Sequence, residues 1–125
     1  MFSFRQKPHK PISKQEKELR EEARQIISEI VDRVCSTHGY SYNRIAIKNT
    51  RSRLGSCSSK MNLNFNWQII KFPKNIMEYV IKHEVAHLKH QNHSKNFWQE
   101  VEKLDPDYKA NHKWIRQNAH KYLKF

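Results

Sequence analysis

The segment His83-Glu84-Val85-Ala86-His87, with a further histidine at position 93, decides how the rest of this chain is read. On a helix of 3.6 residues per turn, positions i and i+4 share a face, about 40° apart. His83 and His87 would then offer their rings to one metal ion. Glu84 would project about 100° from His83, close enough to take a proton from an attacking water without ligating the metal. With His93 as third ligand the fourth coordination position stays open, which separates a catalytic zinc site from a structural one. Shuffled chains of this composition contain H-E-x-x-H in ~4% of cases, and with the later histidine in roughly 0.2%, so accident is a poor explanation. The surrounding pattern agrees: Met77, Ile81, Val85 and Leu88 fall between ~120° and ~200° from His83, an apolar stripe opposite the histidine pair. The spacing predicts a helix over about 75–90.

The third ligand has rivals. His93 follows His87 at the spacing of H-E-x-x-H-x-x-G-x-x-H, with His90 standing at the glycine position. His90 itself would reach the metal only if the helix bent, since it lies nearly two turns beyond His83. Glu100 or Glu102 on the following helix are carboxylate alternatives, closer to His87 in sequence than such ligands usually are.

Composition bounds the rest. The chain has 125 residues, 37% hydrophobic, with a net charge of +12. This is enough for one core and too little for two. No apolar run reaches the ~18 residues of a membrane span, and the first residues lack the apolar stretch of a signal peptide. Cys35 and Cys57, without framework spacing, suit a reducing compartment, and the cytoplasm is the expected location.

Along the chain, residues 1–13 carry Pro8, Pro11 and several basic groups, and read as a basic flexible arm. Ser13 can cap a helix to about Thr37, with Leu19, Ala23, Ile26, Ile27, Ile30, Val31 and Val34 on one stripe and Gly39 as its stop. Arg44 to Thr50 alternates as a strand, Leu54 to Ser59 is turn-like, and Met61 to Ile70 returns as a second strand with Leu63, Phe65 and Trp67 on one face. Pro73 breaks the chain before the motif helix. Ser94 can cap a helix through about Leu104, and Asp107 to Leu123 forms a last one. The fold class is α+β: an N-terminal helix, a short antiparallel β-hairpin, the H-E-x-x-H helix and two C-terminal helices, in a single domain over 14–125.

Several stretches beyond the metal motif carry a resemblance. Arg53-Leu54-Gly55-Ser56-Cys57-Ser58, Asn64-Phe65-Asn66-Trp67, Tyr79 to Leu88, Asn92 to Trp98 and Pro106-Asp107-Tyr108 together resemble the YgjP-like metallopeptidase domain, a relative of the WLM and SprT-like groups within the zincins. The similarity spans residues 51–115. It implies a small zincin-like domain with one Zn2+ on His83, His87 and His93, and Glu84 as general base. It also implies a cleft wall formed by a strand at about Asn62–Gln68. Leu63, Phe65 and Asn66 on that strand are then candidate substrate contacts. Tyr108 joins them as a candidate oxyanion donor, although packing on Trp98 would equally explain it. Two departures stand out: Leu54 replaces the tryptophan usual in the family, and the N-terminal β-rich region of longer members is missing.

Charge is the remaining signal. No acidic residue lies between Asp32 and Glu78, whereas Arg44, Lys48, Arg51, Arg53 and Lys60 do. These five are candidates for binding nucleic acid, single-stranded above all, or another anion. Cys57 reads as a small buried apolar residue before it reads as a ligand. Three functions therefore remain: a zinc metallopeptidase acting on protein or peptide, with DNA association carried by the charge; a metal-dependent hydrolase of a nucleotide or other small phosphorylated substrate; and a non-catalytic, zinc-stabilised nucleic-acid-binding module. An intact Glu84 speaks against the last. No membrane is involved, and the oligomeric state is left open.

Overall fold

Ser13 opens the first helix: its hydroxyl accepts the Glu16 N–H at 3.1 Å, satisfying a donor that has no partner within the helix. Helix α1 (Lys14–His38) ends where Gly39 takes a left-handed φ of 77° and donates to the Cys35 carbonyl at 2.8 Å. The computed structural model describes residues 12–50 and 52–123, so the expected arm lies outside the described residues except for Ile12 and Ser13, as does Arg51. The stripe anticipated on α1 is buried through Ala23, Ile27, Ile30, Val31 and Val34.

Three strands follow: β1 (Arg44–Lys48), β2 (Gly55–Cys57) and β3 (Asn62–Asn66), in the order β1-β3-β2. The anticipated hairpin between the first and last of these needs correction. They run parallel, with Ile45 beside Leu63 and Ile47 beside Phe65, while the antiparallel partner of β3 is β2, in the stretch read as a turn. The loop from β1 to β2 must therefore cross the end of β3. Side chains just beyond β3 hold it there. Asn66 donates to the Thr50 carbonyl at 2.8 Å, and Asn49 accepts from Trp67 Nε1 at 3.0 Å and from Gln68 Nε2 at 3.1 Å. The second strand ends at Asn66 rather than Ile70, because Asn66 caps a short 3-10 turn, Trp67–Lys71.

Helix α2 (Lys74–Ala86) is the centre of the fold and packs against α1, β2, α3 (Lys95–Leu104) and α4 (Tyr108–Asn118). Met77, Ile81, Val85 and Leu88 are buried as their spacing required, joined by Ile76, Tyr79 and Val80. The helix stops earlier than its apolar pattern suggests. After Ala86 the N–H groups of His87, Leu88 and Lys89 bond three residues back, to Glu84, Val85 and Ala86, and tighten the turn. This lets the chain double back and carry His93 toward the histidine pair. Ser94 then caps α3, accepting the Phe97 N–H. Asp105 ties the next turn together by accepting the Asp107 N–H and the Asn111 side-chain amide. No helix among the described residues is long and apolar enough to cross a membrane.

Candidate metal centre

The last turn of α2 and the bend before α3 bring His83, His87 and His93 together, with their ligating nitrogens all within 4.8 Å of one another. Ring centroids lie 5.4 Å (83–87), 5.7 Å (83–93) and 4.8 Å (87–93) apart. This donor set fits a divalent zinc-like ion: three imidazoles on one side and no fourth protein ligand in the group. His87 shows a further sign of fit. Its Nδ1 lies 3.0 Å from the His90 carbonyl, which can only accept, so Nδ1 carries the proton and Nε2 keeps its lone pair. The ring is also held by Phe97, stacked at 4.2 Å and 22°. Burial pushes His83 down to about 3, with His87, His93 and His112 adding to the effect; burial also lowers His87. Neutral rings are what a metal needs.

The rival ligands stand outside the histidine group. His90 serves through its backbone oxygen, and Glu100 accepts from Tyr40 Oη at 2.8 Å and pairs with Lys89 at 3.3 Å. Glu102 is exposed on α3 and stands outside the histidine group.

Glu84 is 8% exposed, and its carboxylate accepts no hydrogen bond from the described residues. Burial raises the carboxyl to about 7, against the pull of the Arg53 cation. A metal ion in the histidine cluster would add to that pull. Glu84 packs against β2, where Gly55 leaves room for it: a Cβ there would lie 2.9 Å from Glu84 Cγ. Sequence reasoning passed over Gly55, although a signal existed. The chain has only two glycines, and Gly39 already accounts for the other as a helix stop. Cys57, also in β2, is a free thiol raised first by burial and then by the Glu84 charge, and it is not in the histidine group.

The expected substrate contacts on β3 are corrected. Leu63 and Phe65 are 0% and 1% exposed and face the core, and Asn66, 1% exposed, spends its amide on Thr50 and Gln68. β3 is also the middle strand, paired on both sides, so it has no edge for a further strand. The edge strands are β1 and β2, and β2 is the one in contact with Glu84. Leu54 O accepts from Asn66 N and Ser58 N donates to Asn62 O, which turns the intervening backbone groups of Gly55 and Cys57 outward. Tyr108 starts α4 with its ring 6.0 Å from Trp98, which in turn lies 5.7 Å from His83. Buried Tyr79 touches His83 at 6.0 Å and shares a 3.2 Å hydrogen bond with His112 Nδ1, a link with no sequence signature.

Arg44 and Lys48 alternate with the core-facing Ile45 and Ile47 and so project from the other face of the sheet. Arg53 is the one that acts on Glu84, and Lys60 is exposed in the turn between β2 and β3.

The solved structures that match include two metallopeptidase zymogens. Abylysin of Pyrococcus abyssi is 22% identical with a TM-score of 0.64, covering 74% of this chain and 95% of that one. Jannalysin of Methanocaldococcus jannaschii is 26% identical with a TM-score of 0.63, covering 74% and 96%. Both support the α+β zincin-like fold described above. No curated protein matches the chain. The sequence model of the YgjP-like metallopeptidase domain matches residues 2–118, nearly the whole chain, including α1, which the shorter stretch of shared motifs left out. On that match the chain belongs to the YgjP-like metallopeptidase family and is a hydrolase of that class.

Proposed function

We propose that this protein is a zinc-dependent peptidase with one Zn2+ held by His83, His87 and His93 and with Glu84 as its general base. The observation that carries this reading is the convergence of the three ring nitrogens within 4.8 Å, beside a buried carboxylate that accepts no hydrogen bond from the described residues. When bound, zinc would polarise both the attacking water and the scissile carbonyl. Glu84 takes the water's proton on a carboxylate oxygen and passes it to the departing amide nitrogen.

Substrate positioning falls to β2 in this reading. An extended peptide can add to its open edge through the backbone of Gly55 and Cys57, next to Glu84. A purely structural zinc site would have no use for a carboxylate buried in that position. The test is digestion of an unfolded protein by zinc-loaded enzyme. Cleavage should stop on chelation and return with zinc, and cleavage that persists in fully metal-free protein would rule the reading out.

A further inference from the structure

Beside the metal centre lies a groove of about 780 Å³ to which the family's motif assigns no role. Trp98 forms the wall common to both: its ring lies 5.7 Å from His83 and 6.1 Å from His93 on one side, and 6.0 Å from Tyr108 and 6.1 Å from His112 on the other. The rest of the lining comes mainly from α4, through Lys109, Lys113 and Arg116. These three recur at i, i+4 and i+7, the spacing of one helix face. Among the described residues, no carboxylate lines the groove and none of the three cations is in an ion pair. His112 and Gln117 complete the lining, and His112 is not free to swing, because buried Tyr79 holds its Nδ1.

We propose that this groove is a specificity subsite that takes an acidic side chain, aspartate or glutamate, of the peptide flanking the scissile bond. The inference rests on the peptidase reading. Its chemistry is simple: the aromatic wall of Trp98 and Tyr108 receives the aliphatic part of the residue, and the cations of α4 meet the carboxylate. A peptide lying along β2 would have its reacting carbonyl over the histidines and a neighbouring side chain within reach of Trp98. A nucleotide is the competing occupant. The groove offers it no glycine-rich loop, since both glycines of the chain lie elsewhere. The cations sit on flexible, exposed side chains, which suits selection of charge better than a cradle for phosphates.

Each exposed ion pair contributes modestly, so the preference for an acid over its amide should be on the order of 5–10-fold and should shrink with salt. The experiment has two readouts. Zinc-loaded enzyme digests an unfolded protein, and the cut sites are mapped by mass spectrometry. Aspartate or glutamate should be enriched at one fixed position from the cut. That enrichment should collapse in the Lys113→Gln/Arg116→Gln protein and pass to lysine or arginine in Lys113→Glu/Arg116→Glu. Cuts with no acidic position, or an enrichment unmoved by these substitutions, overturn the subsite. In parallel, a fluorescein-labelled peptide carrying glutamate is compared with its glutamine twin for binding to zinc-loaded Glu84→Gln protein. Acid-selective binding that the double substitution abolishes, with no cleavage by the unsubstituted enzyme, keeps the subsite and removes the peptidase reading. Equal binding of the two peptides overturns the subsite whatever the cleavage result. Displacement of the peptide by micromolar nucleoside triphosphate, with hydrolysis of that triphosphate by the unsubstituted enzyme, assigns the groove to a nucleotide and overturns it too.

Discussion

Gly55 and Glu84 are in contact across the β2–α2 packing, with the glycine's missing side chain replaced by the carboxylate arm of the glutamate. A Cβ at Gly55 would stand 2.9 Å from Glu84 Cγ, 3.2 Å from its Oε2 and 3.0 Å from the Asn64 carbonyl oxygen. The strand cannot yield without breaking its ladder, so Glu84 must move. Gly55→Ala should therefore retain metal, lose roughly 1–3 kcal/mol of stability to overpacking, and lose turnover by about 10²-fold through misplacement of the base. Parallel measurement of zinc content, melting temperature and kcat checks this. A Gly55→Ala enzyme with full kcat would mean that Glu84 has slack the packing does not suggest.

The histidines should divide sharply in a metal titration. His83→Ala and His87→Ala should abolish binding of one zinc per chain, and His93→Ala should weaken it strongly. His90→Ala should leave binding intact, because it is the backbone oxygen of residue 90 that orients His87. Zinc analysis after mild chelation decides, and normal retention by His93→Ala would point to a different third ligand.

Glu84→Gln keeps size and polarity and removes the base. It should hold its metal and its fold, while turnover drops by ~10² or more. Single-turnover kinetics on a zinc-verified sample is the measurement, and undiminished turnover would leave Glu84 without a catalytic part.

Tyr40 and Glu100 link the end of α1 to α3 through a 2.8 Å hydrogen bond from hydroxyl to carboxylate. Burial opposes ionisation of Glu100, but the bonds from Tyr40 and Lys89 outweigh it and leave the carboxyl below its usual range. A carboxyl lowered on folding adds stability above the unfolded value, and that gain is lost as pH falls through the folded value. Tyr40→Phe should cost on the order of 1–2 kcal/mol at neutral pH. The gap between the two proteins should then narrow below about pH 4, as Glu100 takes up its proton. Urea melts of both proteins from pH 7 to pH 3 test the sign, and a gap that widens in acid contradicts it.

The expectation of nucleic-acid binding rests on charge alone and can be tested on the outer face of the sheet. Contacts from Arg44 and Lys48 to two phosphates of a single strand would contribute a log–log salt slope of about −1.4. Arg44→Ala/Lys48→Ala should remove that contribution without changing sequence preference. Anisotropy of a labelled oligonucleotide at several salt concentrations reads it, and an unaltered slope excludes this face as the contact.

What the amino-acid sequence determined by itself was local. Ser13, Gly39 and Ser94 mark helix ends because a cap acts within three or four residues. The 83–87–93 spacing with Glu84 names its chemistry because helix periodicity turns sequence distance into direction. The apolar stripes of α1 and α2 followed from the same periodicity. Tertiary structure decided whatever depends on partners distant in the chain. Gly55-Ser56-Cys57 is too short and too poor in β-branched residues to read as a strand, and becomes one because β3 pairs with it. The resemblance put Leu63, Phe65 and Asn66 on a cleft wall, and no local pattern says what covers a strand face. Helix α2 packs on β3, and the crossing loop bonds to its end. The apolar pattern of α2 runs on to Leu88, yet the helix ends at Ala86, where tightened backbone bonds and the His87–His90 contact turn the chain back. The Tyr79–His112 bond joins residues 33 apart, and no period in the sequence announces such a pair. Each of these outcomes is a competition for space or for a hydrogen-bond partner, and it is settled only when the other competitor has been folded into place.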